Sequence, residues 1–238
     1  MSEKLLAFDV WGDYAYFRRG YTTTSTISFP FPSRTTVAGL ISSILGFERD
    51  SYYDVFNQQN SKIGLRILNP IKKVRFNLNY INTKVGFYLQ DINQKQGLRT
   101  QVQAEFLKNP KFRIFVSLED NKIMGDLFDL LYNHQSIYTP YLGISECLAN
   151  FKLVGDDFFT LHKKYGENIQ MDSVLLKDKS NILIEPGKKY GLVKSPGFMN
   201  SERVVTNYME HYFEEKGNSI LISEGEYYTI GDDNVMLF

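Results

Sequence analysis

With 238 residues, 43% hydrophobic and 23% charged, the chain has the composition of a soluble globular protein, long enough for a sizeable core in one large domain or in a main domain with an appended module. No run approaches the roughly 18 consecutive apolar residues of a membrane helix, and the start MSEKLLAFDV lacks signal-peptide architecture, so a cytoplasmic location away from any membrane is expected. The formal net charge is zero, and Cys147 stands alone, which excludes an internal disulfide and a multi-cysteine zinc site.

Leu5–Trp11 reads as a strand, and Tyr14–Arg18 as a second extended run in which aromatics alternate with other residues. Thr22–Ser28 is a polar, β-branched loop. The segment FPFPSRTTVAGLISSILGF, Phe29–Phe47, then predicts a short helix. Its Val37, Leu40, Ile41, Ile44 and Leu45 fall at i, i+3, i+4, i+7 and i+8, a single apolar stripe. Ala38, Gly39, Ser42 and Ser43 keep the rest small, so another backbone can approach closely. Ser33 or Thr35 caps the first turn and Gly46 supplies the stop. Arg34 beside that N-terminus, with the Thr35 and Thr36 hydroxyls and free N–H groups, makes a place for a phosphate.

A polar, aromatic connection runs on to Asn60. Ile63–Leu68 and Val74–Ile81 read as strands parted by the Asn69-Pro70 break. Thr83–Gln101, with Gly86 and Gly97, is a long polar insertion too rich in Gln and Asn to be core. Phe112–Leu118 is a strand, Ile123–Tyr132 an amphipathic helix presenting Ile123, Leu127, Leu130 and Leu131, and Leu148–Val154 a closing strand. The order strand, helix, strand, strand, helix, strand predicts an α+β, ferredoxin-like fold, the topology that also underlies the RNA recognition motif.

Beyond about residue 155 the texture changes. Val174–Leu176, Ile182–Glu185, Tyr190–Val193, Ser219–Ile222, Glu226–Ile230 and Val235–Phe238 are short strand candidates punctuated by Gly, Pro and Asn. Val204–Phe213 alternates as a strand, with a helix as the alternative. The organisation expected is a domain over residues 1–155 and a small β-rich module over residues 156–238.

Signals for catalysis are thin. His134, His162 and His211 lie far apart, none in a metal-ligand spacing, and read as structural. The pairs Asp156–Asp157, Glu214–Glu215 and Asp232–Asp233 read as solvated surface, since adjacent carboxylates on a strand point to opposite faces. No phosphate-cradling lysine loop, dinucleotide glycine fingerprint or nucleophile elbow is present.

Signals for nucleic acid are stronger. Residues 1–116 carry 16 Lys/Arg against 8 Asp/Glu, and residues 117–238 carry 11 against 19. Within Lys62–Arg113 the balance is 11 basic to 2 acidic, which points one face at a polyanion. Arg18, Arg19, Tyr21 and Thr22 cluster at the end of the first strand region, a set suited to phosphates and a stacked base. Arg99 and Gln101 close the polar insertion, with Lys108, Lys111 and Arg113 soon after. A polar, glycine-bearing insertion between strands can project as a hairpin.

Four segments in order carry a resemblance: YFRRGYTTTSTISF, FPFPSRTTVAGLISSILG, RTQVQAEFLKNPKFRIFV and PYLGISECLANF. The chain resembles the fifth Cas family of the RAMP superfamily, the subunit that caps the 5′ end of CRISPR RNA in type I Cascade complexes, with type I-B the nearest subtype. The resemblance implies a RAMP domain whose long hairpin, here Thr83–Gln101, acts as a thumb. It places Arg18, Arg19, Thr35 and Thr36 near the crRNA 5′ handle, Arg34 at the phosphate-facing helix start, and Arg99, Gln101, Lys108, Lys111 and Arg113 at the thumb's basic base. It implies as partners the crRNA, the Cascade backbone subunit and the large subunit, with target DNA reached only through the complex, and no cofactor or metal.

One branch of that family, in type I-C systems, cuts precursor guide RNA without metal by a tyrosine, a lysine and a histidine just after the thumb. Here the neighbourhood reads Lys108-Asn109-Pro110-Lys111-Phe112-Arg113, and no histidine precedes His134. Without an imidazole to move the ribose 2′-hydroxyl proton, Tyr52 or Tyr53 with Lys111 remain only as positioning groups. A non-catalytic RNA-binding subunit is therefore expected, with a metal-independent endoribonuclease and a protein-binding scaffold without RNA as the alternatives.

Overall fold

Mostly antiparallel sheets and two helices give this chain an α+β architecture, seen in a computed structural model that describes residues 4–20, 25–81 and 99–238. Tyr21, Thr22 and residues 83–98 of the expected insertion lie outside the described residues. In chain order the elements are β1 (Lys4–Trp11), β2 (Tyr14–Ala15), β3 (Ser25–Thr26), α1 (Arg34–Leu45), β4 (Ser61–Ile67), β5 (Lys73–Ile81), β6 (Arg99–Lys108) and β7 (Lys111–Leu118). They continue with α2 (Asn121–Tyr132), β8 (Asn150–Thr160), β9 (Lys163–Met171), β10 (Leu175–Leu176), β11 (Tyr190–Met199), β12 (Val205–Glu214), β13 (Ile220–Ile230) and β14 (Asp233–Val235). No helix among the described residues is long and apolar enough to cross a membrane.

The central sheet has the order β4-β7-β1-β8, with every neighbour antiparallel. Successive side chains on a strand point to opposite faces. In β1 the face of Leu6, Phe8 and Val10 packs into the main core with Val37, Ile41 and Ile44 of α1 and Met124, Leu127 and Leu131 of α2. The other face, Leu5 and Ala7, meets Phe115, Ile230, Val235 and Leu237. Covering on both faces explains why this strand reads as a nearly continuous apolar run. The tail also closes the edge of β4: Ile63 and Phe238 exchange main-chain hydrogen bonds at 3.0 and 2.9 Å, and the Val174 N–H donates to Leu65 O at 2.8 Å.

Beyond the central sheet, β10-β12-β11 and β14-β13-β9 form two three-stranded sheets. β5 and β6 run antiparallel from Lys73↔Leu107 to Ile81↔Arg99, while β2 and β3 pair with β6, β3 in parallel.

Several expectations change. β6 and β9 were not read from the sequence, and β3 lies in the expected loop. Ser219–Ile222 and Glu226–Ile230 merge into β13, whereas Ile182–Glu185 makes only a single bridge, Ile182↔Ile222. Val204–Phe213 resolves as strand β12. Two carboxylates expected on the surface are buried, Glu214 at 2% and Asp233 at 3% exposure. Glu215 and Asp232 beside them are exposed in turns, while the last residue of β12 and the first of β14 are turned in. Glu214 accepts from the N–H groups of Lys189 (3.0 Å), Lys216 (2.8 Å) and Asn218 (2.9 Å), which satisfies it and ties the β12–β13 turn to the segment before β11.

His211 of β12 is 1% exposed, its ring edge-on to Phe31 and Phe238 at 5.9 and 4.9 Å. Burial pulls its pKa from 6.5 down to about 4. Between these values the unfolded chain binds the proton and the fold does not, so stability is intact above pH 6.5 and falls as the pH drops toward 4. The loss attributable to this side chain is about 3 kcal/mol. Urea unfolding at pH 7 and pH 4.5 measures it: His211→Phe is expected to narrow the difference between the two pH values, and an unchanged difference would contradict the assignment.

Candidate functional site

α1 forms where the sequence places its local signals. Ser33 adopts an extended N-cap conformation, and its Oγ accepts from the Thr36 N–H at 3.3 Å. Gly46 takes the left-handed C-cap at φ 78°. Ser33 Oγ also lies 3.0 Å from Thr35 Oγ1 and 2.9 Å from Thr36 Oγ1, so three hydroxyls crowd the first turn.

The small side of the helix lines a cleft of about 930 Å³. Its walls are the 47–56 loop, the segment around Tyr138 and Tyr141, and the end of the β11–β12 hairpin from Gly197 to Arg203. At Gly39 the helix backbone comes close to the loop: a Cβ there would stand 3.3 Å from the Tyr52 hydroxyl, a tight contact. Tyr52 stacks on Tyr53 with ring centres 4.9 Å apart. Burial raises the pKa of Tyr52, and burial with a hydrogen bond to Asp50 pushes Tyr53 up to about 12. At the rim the Tyr53 hydroxyl donates to Asp50 Oδ1 at 2.7 Å and Arg203 Nε donates to the same oxygen at 2.9 Å. Arg203 and Tyr53 together hold the Asp50 carboxyl below the ordinary carboxylate range.

Arg34 differs most from its expected place. Its guanidinium is 2% exposed and points into the protein. Nη1 donates to Phe56 O at 2.7 Å, Nη2 to Ser61 O at 3.2 Å and Ser61 Oγ at 2.7 Å, and Nε to Phe238 O at 3.1 Å. The group stacks on Phe198 at 4.1 Å, and burial lowers its pKa to about 10, which leaves it charged at neutral pH. The arginine beside the helix N-terminus ties α1 to the connection and the tail.

The remaining residues fall into three places. Arg18 bridges to Ser28 and Arg19 lies 5.2 Å over the Phe29 ring, on a short ladder that leads through Phe31 into Ser33. Arg99, Gln101 and Lys108 are exposed on β6, with Arg99 and Gln101 on one face and Lys108 on the other. Lys111 and Arg113 begin β7 and face Asp9, at 3.3 and 2.7 Å, and Arg113 also reaches Asp233 at 3.1 Å. Thr35 and Thr36 line the cleft; Arg99, Gln101, Lys108, Lys111 and Arg113 do not. Arg49, Asp50 and Arg203 were missed by sequence reasoning. Arg203 sits in the acidic half of the chain, and nothing in the sequence marks its pairing with a loop 153 residues earlier.

A family model described as CRISPR-associated protein (Cas_Cas5) matches residues 5–189. Among solved structures, a CRISPR protein from Archaeoglobus fulgidus superposes with a TM-score of 0.59 at 14% identity, covering 98% of each chain. A chain of a CRISPR RNA-guided surveillance complex superposes with a TM-score of 0.56 at 12% identity, covering 91% of each. No curated protein matches the chain. The family match spans both helices, the whole central sheet and the loop that carries Tyr52 and Tyr53, and on that extent the chain belongs to the CRISPR-associated Cas5 family.

Proposed function

We propose that this chain is a non-catalytic, crRNA-binding subunit of a type I Cascade complex, of the I-B kind, which grips the 5′ handle of the guide and helps to assemble the backbone for antiviral defence in the cytoplasm. Family membership across residues 5–189 carries the reading. The strand order β8-β1-β7-β4 with two helices on the Leu6–Phe8–Val10 face supports the ferredoxin-like, RAMP assignment. The exposed β5–β6 pair, with Arg99, Gln101 and Lys108, is the base of the thumb in this reading. The hydroxyl-rich first turn of α1 and the tyrosine-lined cleft offer hydrogen bonds and stacking faces to a single strand. The backbone and large subunits are its protein partners, and the solved surveillance-complex chain of the same fold supports such an assembly.

A nuclease role is disfavoured by the chemistry of the tyrosines. A general base needs its pKa brought toward the working pH, and Tyr53 is pushed the other way, to about 12. Lys111, the other group a cleavage site would use, is engaged with Asp9.

The test is assembly with partner subunits and a repeat-spacer transcript. Guide RNA sharing one 5′ tag is expected to co-purify, and Arg99→Gln with Lys108→Gln is expected to lower its retention. Each phosphate contact removed should reduce the slope of log affinity against log salt by about 0.7. Retention and slope equal to wild type would remove β6 from the interface. Incubating the pure chain with repeat transcript in EDTA is expected to leave the RNA intact; a discrete cut lost in Tyr53→Phe would overturn the non-catalytic reading.

A further inference from the structure

We propose that the Asp50 carboxylate occupies a phosphodiester site at the rim of the α1 cleft, and that a phosphate of the bound RNA strand replaces it there. The proposal rests on the RNA-binding reading given above.

Two hydrogen-bond donors and a second guanidinium converge on this carboxylate. The Tyr53 hydroxyl and Arg203 Nε reach Oδ1 at 2.7 and 2.9 Å, and Arg49 Nε lies 3.6 Å from Oδ2. An anionic oxygen held by one guanidinium N–H and a tyrosine hydroxyl, with a second guanidinium close by, is a setting a phosphate oxygen can take, because carboxylate and phosphate present similar acceptors to guanidinium. The side chains are 77% exposed at Arg49 and 49% at Arg203, so a strand can reach both from solvent. Directly inside lies the Tyr52–Tyr53 stack, a face for a base next to that phosphate.

The backbone supplies a second, independent argument. Asp50 and Arg203 both sit in the left-handed region, at φ 65° and 62°. Aspartate tolerates that conformation, but arginine pays a steric cost. An exposed ion pair stabilises by too little to offset such a cost. Arg203 therefore carries a local backbone cost at the cleft rim, the kind of strain that gathers at binding positions.

Asp50 then acts as an internal counterion. It cancels one of the two arginine charges and fills the anion position until a strand with enough other contacts displaces it. Its removal should tighten RNA binding, which is the opposite of what deleting a binding residue does. The arginines of the variant would carry salt counterions in its place, so the salt dependence should steepen by about 0.7 in slope.

Fluorescence anisotropy of the purified chain with a labelled eight-nucleotide single-stranded RNA of mixed sequence tests this. Asp50→Asn is expected to bind three- to tenfold tighter with the steeper slope, and Arg203→Gln to bind more weakly. The Asp50→Asn gain should vanish in the Asp50→Asn/Arg203→Gln double variant. Asp54→Asn, an equal change of charge in the same loop, should leave affinity within twofold of wild type. If Asp50→Asn binds no tighter than wild type, or Asp54→Asn gives the same gain, the proposal fails. The RNA-binding reading survives that failure when wild type binds and Arg99→Gln weakens it; absence of binding by wild type overturns both.

Discussion

Arg34→Met is expected to destabilise the fold by about 3–5 kcal/mol and to lower the melting temperature by on the order of 10 °C. The variant keeps most of the apolar stem and removes every donor. Phe56 O, Ser61 O and Phe238 O then lose the guanidinium that satisfies them in a nearly water-free place. Each buried carbonyl left without a donor costs about 1–3 kcal/mol. Arg34→Lys is expected to recover only part of the loss, since an ammonium cannot reproduce a planar fork that reaches three segments at once. Calorimetric melting of the two variants decides the matter. A variant that melts with wild type yet sheds guide RNA would restore Arg34 to the phosphate-binding role that its position beside the helix N-terminus first indicated.

Asp233→Ala is expected to cost about 3–5 kcal/mol as well, by a different mechanism. Arg66 and Arg113 are directly opposed on neighbouring strands, β4 and β7, an arrangement that places two like charges side by side. Asp233 lies between them: Oδ1 pairs with Arg66 and Oδ2 with Arg113 at 3.1 Å. Asp9 and Asp172 complete the cluster from β1 and from the turn after β9. Without Asp233 the half-buried arginines keep one carboxylate each and repel across the ladder. Asp233→Asn, which keeps the shape and loses the charge, should fall between wild type and Ala. Urea unfolding gives the energies. Limited proteolysis adds a local readout, because this carboxylate docks β14 onto the central sheet and its loss should expose the tail to cleavage before the sheet itself. If Asp233→Ala unfolds at the wild-type urea midpoint, the cluster contributes nothing to stability.

These residues show where sequence reading reached and where it stopped. The end of α1 was legible at Gly46 and its start to within two residues, with Ser33 and Thr35 both candidate caps, because a helix is specified by neighbours three and four positions apart and by caps at its ends. Ser33 and Gly46 announce those ends locally. α2 and the strands β1, β4, β7 and β12 were legible for similar reasons, through run length or alternation. β6 was not. Its sequence RTQVQAEFLK looks polar and featureless alone, and it becomes a strand by pairing with β5 across residues 82–98 and with β2 and β3 from far earlier in the chain. β9 was missed likewise, since it depends on β13 some fifty residues on.

The site divides along the same line. Ser33, Thr35 and Thr36 could be named from the sequence because their geometry belongs to one helical turn. The roles of Arg34 and Arg113 could not, because their partners lie up to 204 and 120 residues away. An arginine in a sequence carries only its charge; whether that charge meets solvent, a carbonyl or a carboxylate depends on which distant backbone is folded over it.

By itself, then, the sequence determined the helices, most of the central strands, the charge asymmetry and the family, all of which rest on local pattern or ordered motifs. Only the tertiary structure decided which charged groups are spent inside. It turned Arg34 inward, built Arg66, Arg113 and Asp233 into one cluster, and brought Arg203 against Asp50 at the cleft rim. The physical reason is that burial and pairing of charge are long-range properties: they follow from the low-dielectric surroundings that packing creates, and no spacing within the chain encodes them.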